Sequence, residues 1–219
     1  YLGALQAFAP FEPIFTSLAC DNDGPLPEAF ARLPHDAPGT RFAYLLPNYQ
    51  NPSGRVIPAA RRDALVAAAQ AARLPLVEDN PYGELWFDEH PPLPLTARNP
   101  DGCVYLGSFS KVLAPGLRLG FMVLPKALYP KILQAKQAAD LHTPSFNQRI
   151  ASEVMQGDFL DKHVPMIRKL YKSQRDEMLV ALAREMPVTP GNPDQSVTWN
   201  SPAGGMFLWA RLPAGMNAV

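Results

Sequence analysis

Four short runs decide what this chain can become: Phe42-Ala-Tyr-Leu-Leu46, Leu76-Val-Glu78, Cys103-Val-Tyr-Leu106 and Leu117 to Leu124. Each has strand length and is bounded by Pro, Gly, Asn or Asp. An alanine-rich stretch of high helix propensity, Ala59 to Arg73, lies between the first two. Parallel strands need long crossovers, usually helical. The alternation therefore predicts an α/β layer around a largely parallel sheet. Upstream, Tyr1 to Ala9 reads as a helix, Ile14 to Ala19 as a strand, Asp21-Asn-Asp-Gly24 as a turn and Leu26 to Leu33 as a short helix. Downstream, Lys126 to Ala139, Phe146 to Gln156 and Asp158 to Glu185 read as helices. Pro165 is expected to kink the last or to mark where its main body begins. Met206 to Leu212 then reads as a strand, the start of a smaller domain. The predicted division is 1–157 and 158–219.

Composition excludes several classes of function. At 219 residues, 47% hydrophobic and 18% charged, the chain can bury a core and is not disordered. A net charge of +0 supplies no bulk field for nucleic acid or a membrane surface. No apolar run approaches membrane-spanning length. The two cysteines, Cys20 and Cys103, lack metal-ligand partners at usable spacing. They are expected to be reduced, which suits a cytoplasmic setting, and no metal site is expected. The chain opens without methionine in a helical pattern and closes just after a strand, so a piece of a longer protein is expected.

Three loops are predicted at the carboxyl ends of the strands: 47–54, 79–83 and 107–118. In open α/β sheets that edge binds ligands. The polar residues collected there are Asn51, Asp79, Tyr82, Ser108, Ser110, Lys111 and Arg118. Each has a plain alternative. Lys111 is a solvated lysine, Asn51 before Pro52 a turn former, Asp79 a cap, Tyr82 a packed aromatic with a wet hydroxyl. Taken together, they are what pyridoxal 5'-phosphate (PLP) chemistry requires. A lysine holds the aldehyde as a Schiff base, and a carboxylate keeps the pyridine nitrogen protonated. Donors stabilise the ring oxygen, and hydroxyls with an arginine hold the dianionic phosphate.

Pro47-Asn-Tyr-Gln-Asn-Pro-Ser-Gly54, Glu78-Asp-Asn-Pro-Tyr-Gly83 and Gly107-Ser-Phe-Ser-Lys111 through Gly116-Leu-Arg-Leu-Gly120 resemble the class I/II aminotransferases of PLP fold type I. The likeness is to the 2-aminoadipate, kynurenine and aromatic aminotransferase subgroup, and it extends to Pro202-Ala-Gly-Gly-Met-Phe-Leu-Trp209. It implies an α/β/α sandwich with a mostly parallel sheet, here incomplete, plus the start of a small C-terminal α+β domain. By position, Lys111 would form the internal aldimine and shuttle the proton between the substrate Cα and the cofactor. Asp79 would pair with the pyridine nitrogen, and Asn51 and Tyr82 would bond the ring oxygen. Ser108, Ser110 and Arg118 would bind phosphate. Tyr1 resembles the aromatic residue that stacks on the cofactor ring. The Asn51–Pro52 peptide is expected to be cis.

The resemblance also implies ping-pong transfer between an amino acid and a 2-oxo acid, by a homodimer. His142 to Gln148 falls where the family approaches its partner subunit; the alternative is an ordinary helix entry behind Pro144. The family's glycine/serine-rich phosphate turn and its carboxylate-binding arginine have no counterparts here, and Arg211 does not replace the latter. The 219-residue chain alone is therefore expected to bind PLP weakly or not at all, to be a poor enzyme and to expose apolar surface. Two other readings share the motifs: an effector domain of a winged-helix transcription regulator, and a PLP lyase of the same fold.

Overall fold

The structure is a computed structural model describing residues 1–186 and 196–218. Its centre is a four-stranded sheet of β3 (Ala43–Leu45), β4 (Leu76–Asp79), β5 (Cys103–Ser108) and β6 (Gly120–Val123), in that order. The pairs β3–β4 and β4–β5 are parallel, and β5–β6 is antiparallel. The sheet is thus mostly parallel, as predicted, with a reversed edge strand.

Alternation along the strands builds the core on one face. Ala43, Leu45, Leu76 and Cys103 are buried against three helices: α2 (Pro27–Asp36), α3 (Ala59–Ala71) and α4 (Leu95–Arg98). Phe30 and Leu33 of α2, Leu65, Val66 and Ala69 of α3, and Leu95 of α4 complete this cluster. The amphipathic spacing of α2 explains its place there. Tyr44, Val77 and Asp79 project to the other face and are only half-buried. On that side Phe8, from α1 (Leu2–Phe8), meets Tyr44 edge-on at 6.0 Å between ring centroids.

A second cluster joins the later elements to the sheet edge. The long helix α7 (Phe159–Glu185) runs unbroken through Pro165 and sets Ile167 and Tyr171 against Tyr49, Tyr82 and Leu85. The Arg168 guanidinium lies 3.8 Å from the Trp86 ring centroid and donates to the Glu84 carbonyl. Preceding α7 are α5 (Tyr129–Asp140) and α6 (Ser145–Met155), the latter entered behind Pro144. The returning segment 198–211 carries the short pair β7 (Thr198–Trp199) and β8 (Ala210–Arg211). Its Gly205 has φ +76, and a Cβ there would lie 2.4 Å from Tyr49 Cβ. Only glycine permits that approach.

Several expectations need correction. Ile14 to Ala19 is not a strand: Ile14 and Phe15 are exposed, and the short pair β1 (Cys20–Asp21) and β2 (Gly24–Pro25) begins one residue later. The run 117–124 is a strand only over Gly120–Val123, after a 3-10 turn at Pro115–Leu117, and every residue of that strand is exposed. The run 206–212 contributes only Ala210–Arg211. The helix α4 went unpredicted. Both cysteines are unpaired, Cys20 exposed and Cys103 buried. Among the described residues no helix is long and apolar enough to cross a membrane.

Candidate active site

Asp79 closes β4 at the carboxyl edge of the sheet, in register with Leu106 of β5. Tyr44 stands opposite Val77, so it shares a face with Asp79 one diagonal step away. Its O–H donates to Asp79 Oδ2. Burial pushes the Asp79 carboxyl above its ordinary pKa, while the Tyr44 bond pulls it back. Asp79 Oδ1 has no hydrogen-bond partner among the described residues. A half-buried carboxylate is left with one oxygen held and one ready to accept from a cationic donor.

Tyr82 is buried, and its pKa is raised by burial and lowered by a hydrogen bond with the Asn51 side chain. The Asn51–Pro52 peptide is cis, as the resemblance implied. Phe207 meets the Tyr82 ring edge-to-face at 5.4 Å. Tyr1 is exposed at the start of α1, and its phenol is close enough to raise the pKa of Tyr44 and Tyr82. Asp79, Tyr82, Asn51 and Tyr1 therefore form one interacting group.

The phosphate-side residues follow β5. Ser108 ends the strand, and its Oγ accepts from the Ser110 backbone N–H at 3.1 Å. That local bond fixes the turn from which Lys111 projects. Lys111 is half-buried and has no hydrogen bond or ion pair among the described residues. Arg118 is exposed, with φ +52, and its guanidinium donates to the Pro115 carbonyl at 3.3 Å. It makes no hydrogen bond to the other site residues.

Behind these loops lies a polar network that the motifs did not announce. Arg62 of α3 is fully buried and donates to the carbonyls of Ile57 (2.8 Å), Pro92 (2.8 Å), Leu93 (3.2 Å) and Pro47 (3.2 Å), and to Asn48 Oδ1. Asn48 Nδ2 donates to Asn80 Oδ1 at 3.0 Å, and Asn80 Nδ2 to the Tyr105 hydroxyl at 3.0 Å. Burial lowers the Arg62 pKa to about 10, so it stays charged at neutral pH. The chain of bonds fastens the loop bearing Asn51 to the loop bearing Tyr82. Tyr44 was missed for another reason: it lies inside a strand, and only the β3–β4 register brings it to Asp79.

The donor set fits PLP. It offers an unengaged lysine amine, an accepting carboxylate oxygen, paired amide and phenol groups, and two serine hydroxyls. The comparisons with known proteins agree. The family described as aminotransferase class I and II matches residues 25–218. An aromatic-amino-acid aminotransferase from Thermococcus litoralis is 40% identical, over 99% of this chain and 52% of its own length. A 2-aminoadipate transaminase from Thermus thermophilus is also 40% identical, over 100% of this chain and 54% of its own. A crystal structure of kynurenine aminotransferase from Pyrococcus horikoshii superposes with a TM-score of 0.90 at 40% identity, covering 100% of this chain and 54% of that one. The chain thus spans about half the length of the curated relatives it matches.

Proposed function

Since the chain belongs to the class I and II aminotransferases, we propose that the protein moves an amino group between an amino acid and a 2-oxo acid with PLP as the carrier. The observation that carries this is Asp79 and Lys111 leaving neighbouring parallel strands at one sheet edge, the first with an unengaged oxygen and the second with an unengaged amine. When bound, the cofactor supplies an electron-withdrawing ring that stabilises negative charge at the substrate Cα. Lys111 Nζ would hold the cofactor aldehyde and, once displaced, take and return the proton at that Cα. Asp79 Oδ1 would accept from the ring nitrogen and keep its proton there. Asn51 and Tyr82 would donate to the ring oxygen, Tyr1 would cover the ring, and Ser108, Ser110 and Arg118 would hold the phosphate.

Aromatic amino acids, 2-aminoadipate and branched-chain amino acids are the proposed substrates, supported by the printed names of two relatives and, for the last, by the subgroup resemblance. A homodimer, by that resemblance, a cytoplasmic location, by the unpaired cysteines, and a domain division at 157/158, by the order of helices and strands, belong to the same proposal. The test is a panel of these amino acids with PLP and 2-oxoglutarate. Glutamate should form with parallel double-reciprocal plots, the pattern of a two-stage exchange. Release of ammonia without glutamate would point to a lyase and overturn the reading.

A further inference from the structure

We propose that Tyr44 is a positioning residue for Asp79, holding its carboxylate charged and turned so that Oδ1 meets the cofactor's ring nitrogen. The inference rests on the PLP reading above. Its ground is geometric. Tyr44 and Asp79 sit on adjacent parallel strands, on the same face, and the phenol donates to Oδ2. A carboxylate on a strand end rotates about its last torsion unless one oxygen is fixed. With Oδ2 fixed by a strand residue, Oδ1 is the oxygen left to accept.

The phenol is itself well placed to stay a donor. Its pKa is raised, first by burial and then by the bond to Asp79. Its ring is steadied by Phe8, which also meets Phe42 edge-on at 5.4 Å. The groups that act on Asp79 from the surrounding elements are few. Tyr44 comes from β3, Tyr82 follows β4, and β5 brings the Tyr105 phenol and, as the strand partner, the apolar Leu106. Tyr44 is the one side chain that donates a hydrogen bond to the Asp79 carboxylate among the described residues. A donor to the charged form offsets part of what burial costs it. Without that donor the proton shared with the ring nitrogen would shift towards Asp79, and the ring would lose positive charge.

The substitution Tyr44→Phe removes only the hydroxyl and keeps the ring that Phe8 contacts. Two probes separate positioning from packing: PLP, and its 1-deaza analogue, which carries C–H where PLP carries the ring nitrogen. Both are titrated into the intact wild-type protein and its Tyr44→Phe variant, following protein fluorescence and the near-visible band. The expected result is PLP affinity lowered roughly tenfold, the scale of one hydrogen bond to a charged group, with deaza-PLP affinity unchanged. Equal PLP affinity in the two proteins would overturn the inference. An equal loss for both probes would also overturn it, because packing alone would then explain the effect. Failure of the intact wild-type protein to bind PLP would instead overturn the cofactor reading beneath it.

Discussion

The proposed role makes Asp79 an anion where burial disfavours one. Its folded pKa lies above the unperturbed 3.8, chiefly from desolvation. For an acid shifted upward, the stabilising contribution is full below the unfolded pKa and is lost as pH rises through the folded value. In the cofactor-free protein, Asp79→Asn should therefore gain stability relative to wild type as pH rises from about 4 towards neutrality. Urea unfolding at several pH values checks this, and a difference independent of pH would contradict it. The same substitution should weaken PLP binding further, a trade of stability for function. At this scale the site was largely legible. Asn51, Asp79, Tyr82 and Lys111 lie in loops at fixed spacing along the chain, where residue type and order carry the information. Tyr44 was not legible, because its role depends on which residue of β4 it faces.

At the scale of elements, α3 does more than cover the sheet. Through Arg62 it satisfies carbonyls in three segments and anchors Asn48 beside the loop bearing Asn51. Arg62→Met should lower the unfolding free energy by about 3 kcal/mol, since each buried acceptor left unsatisfied costs ~1–3 kcal/mol. Denaturant unfolding measures it. Arg61→Met, which removes an ion pair with the half-exposed Asp21, should cost much less. Strands β3, β4 and β5 were readable because short runs between turn residues, spaced by a helix, leave few alternatives. The run 117–124 misled because apolar composition alone does not say which face is covered: β6 is an exposed antiparallel edge. Ile14 to Ala19 misled likewise, having strand composition without a paired neighbour.

Taken whole, the molecule has one dense core and one sparsely covered side. The core lies between the sheet and α2, α3 and α4. On the other side Met122 of β6 and Tyr129 and Leu133 of α5 are exposed, and at the same edge strand Phe121 and Val123 are exposed on the opposite face. The expected exposure of apolar surface is thus present. Segment 198–211 and α7 instead converge on the carboxyl edge, where Asn200 Nδ2 donates to the Ser53 carbonyl at 2.7 Å and Arg175 to that of Pro202 at 2.7 Å. The elements after residue 157 thereby brace the loops that bear Asn51 and Tyr82. The central claim is that this edge directs PLP to Lys111. The measurement is incubation with PLP, reduction with borohydride and peptide mapping by mass spectrometry. The phosphopyridoxyl group is expected on Lys111. Label spread over surface lysines such as Lys126, Lys131 and Lys162, with Lys111 unmodified, would contradict it.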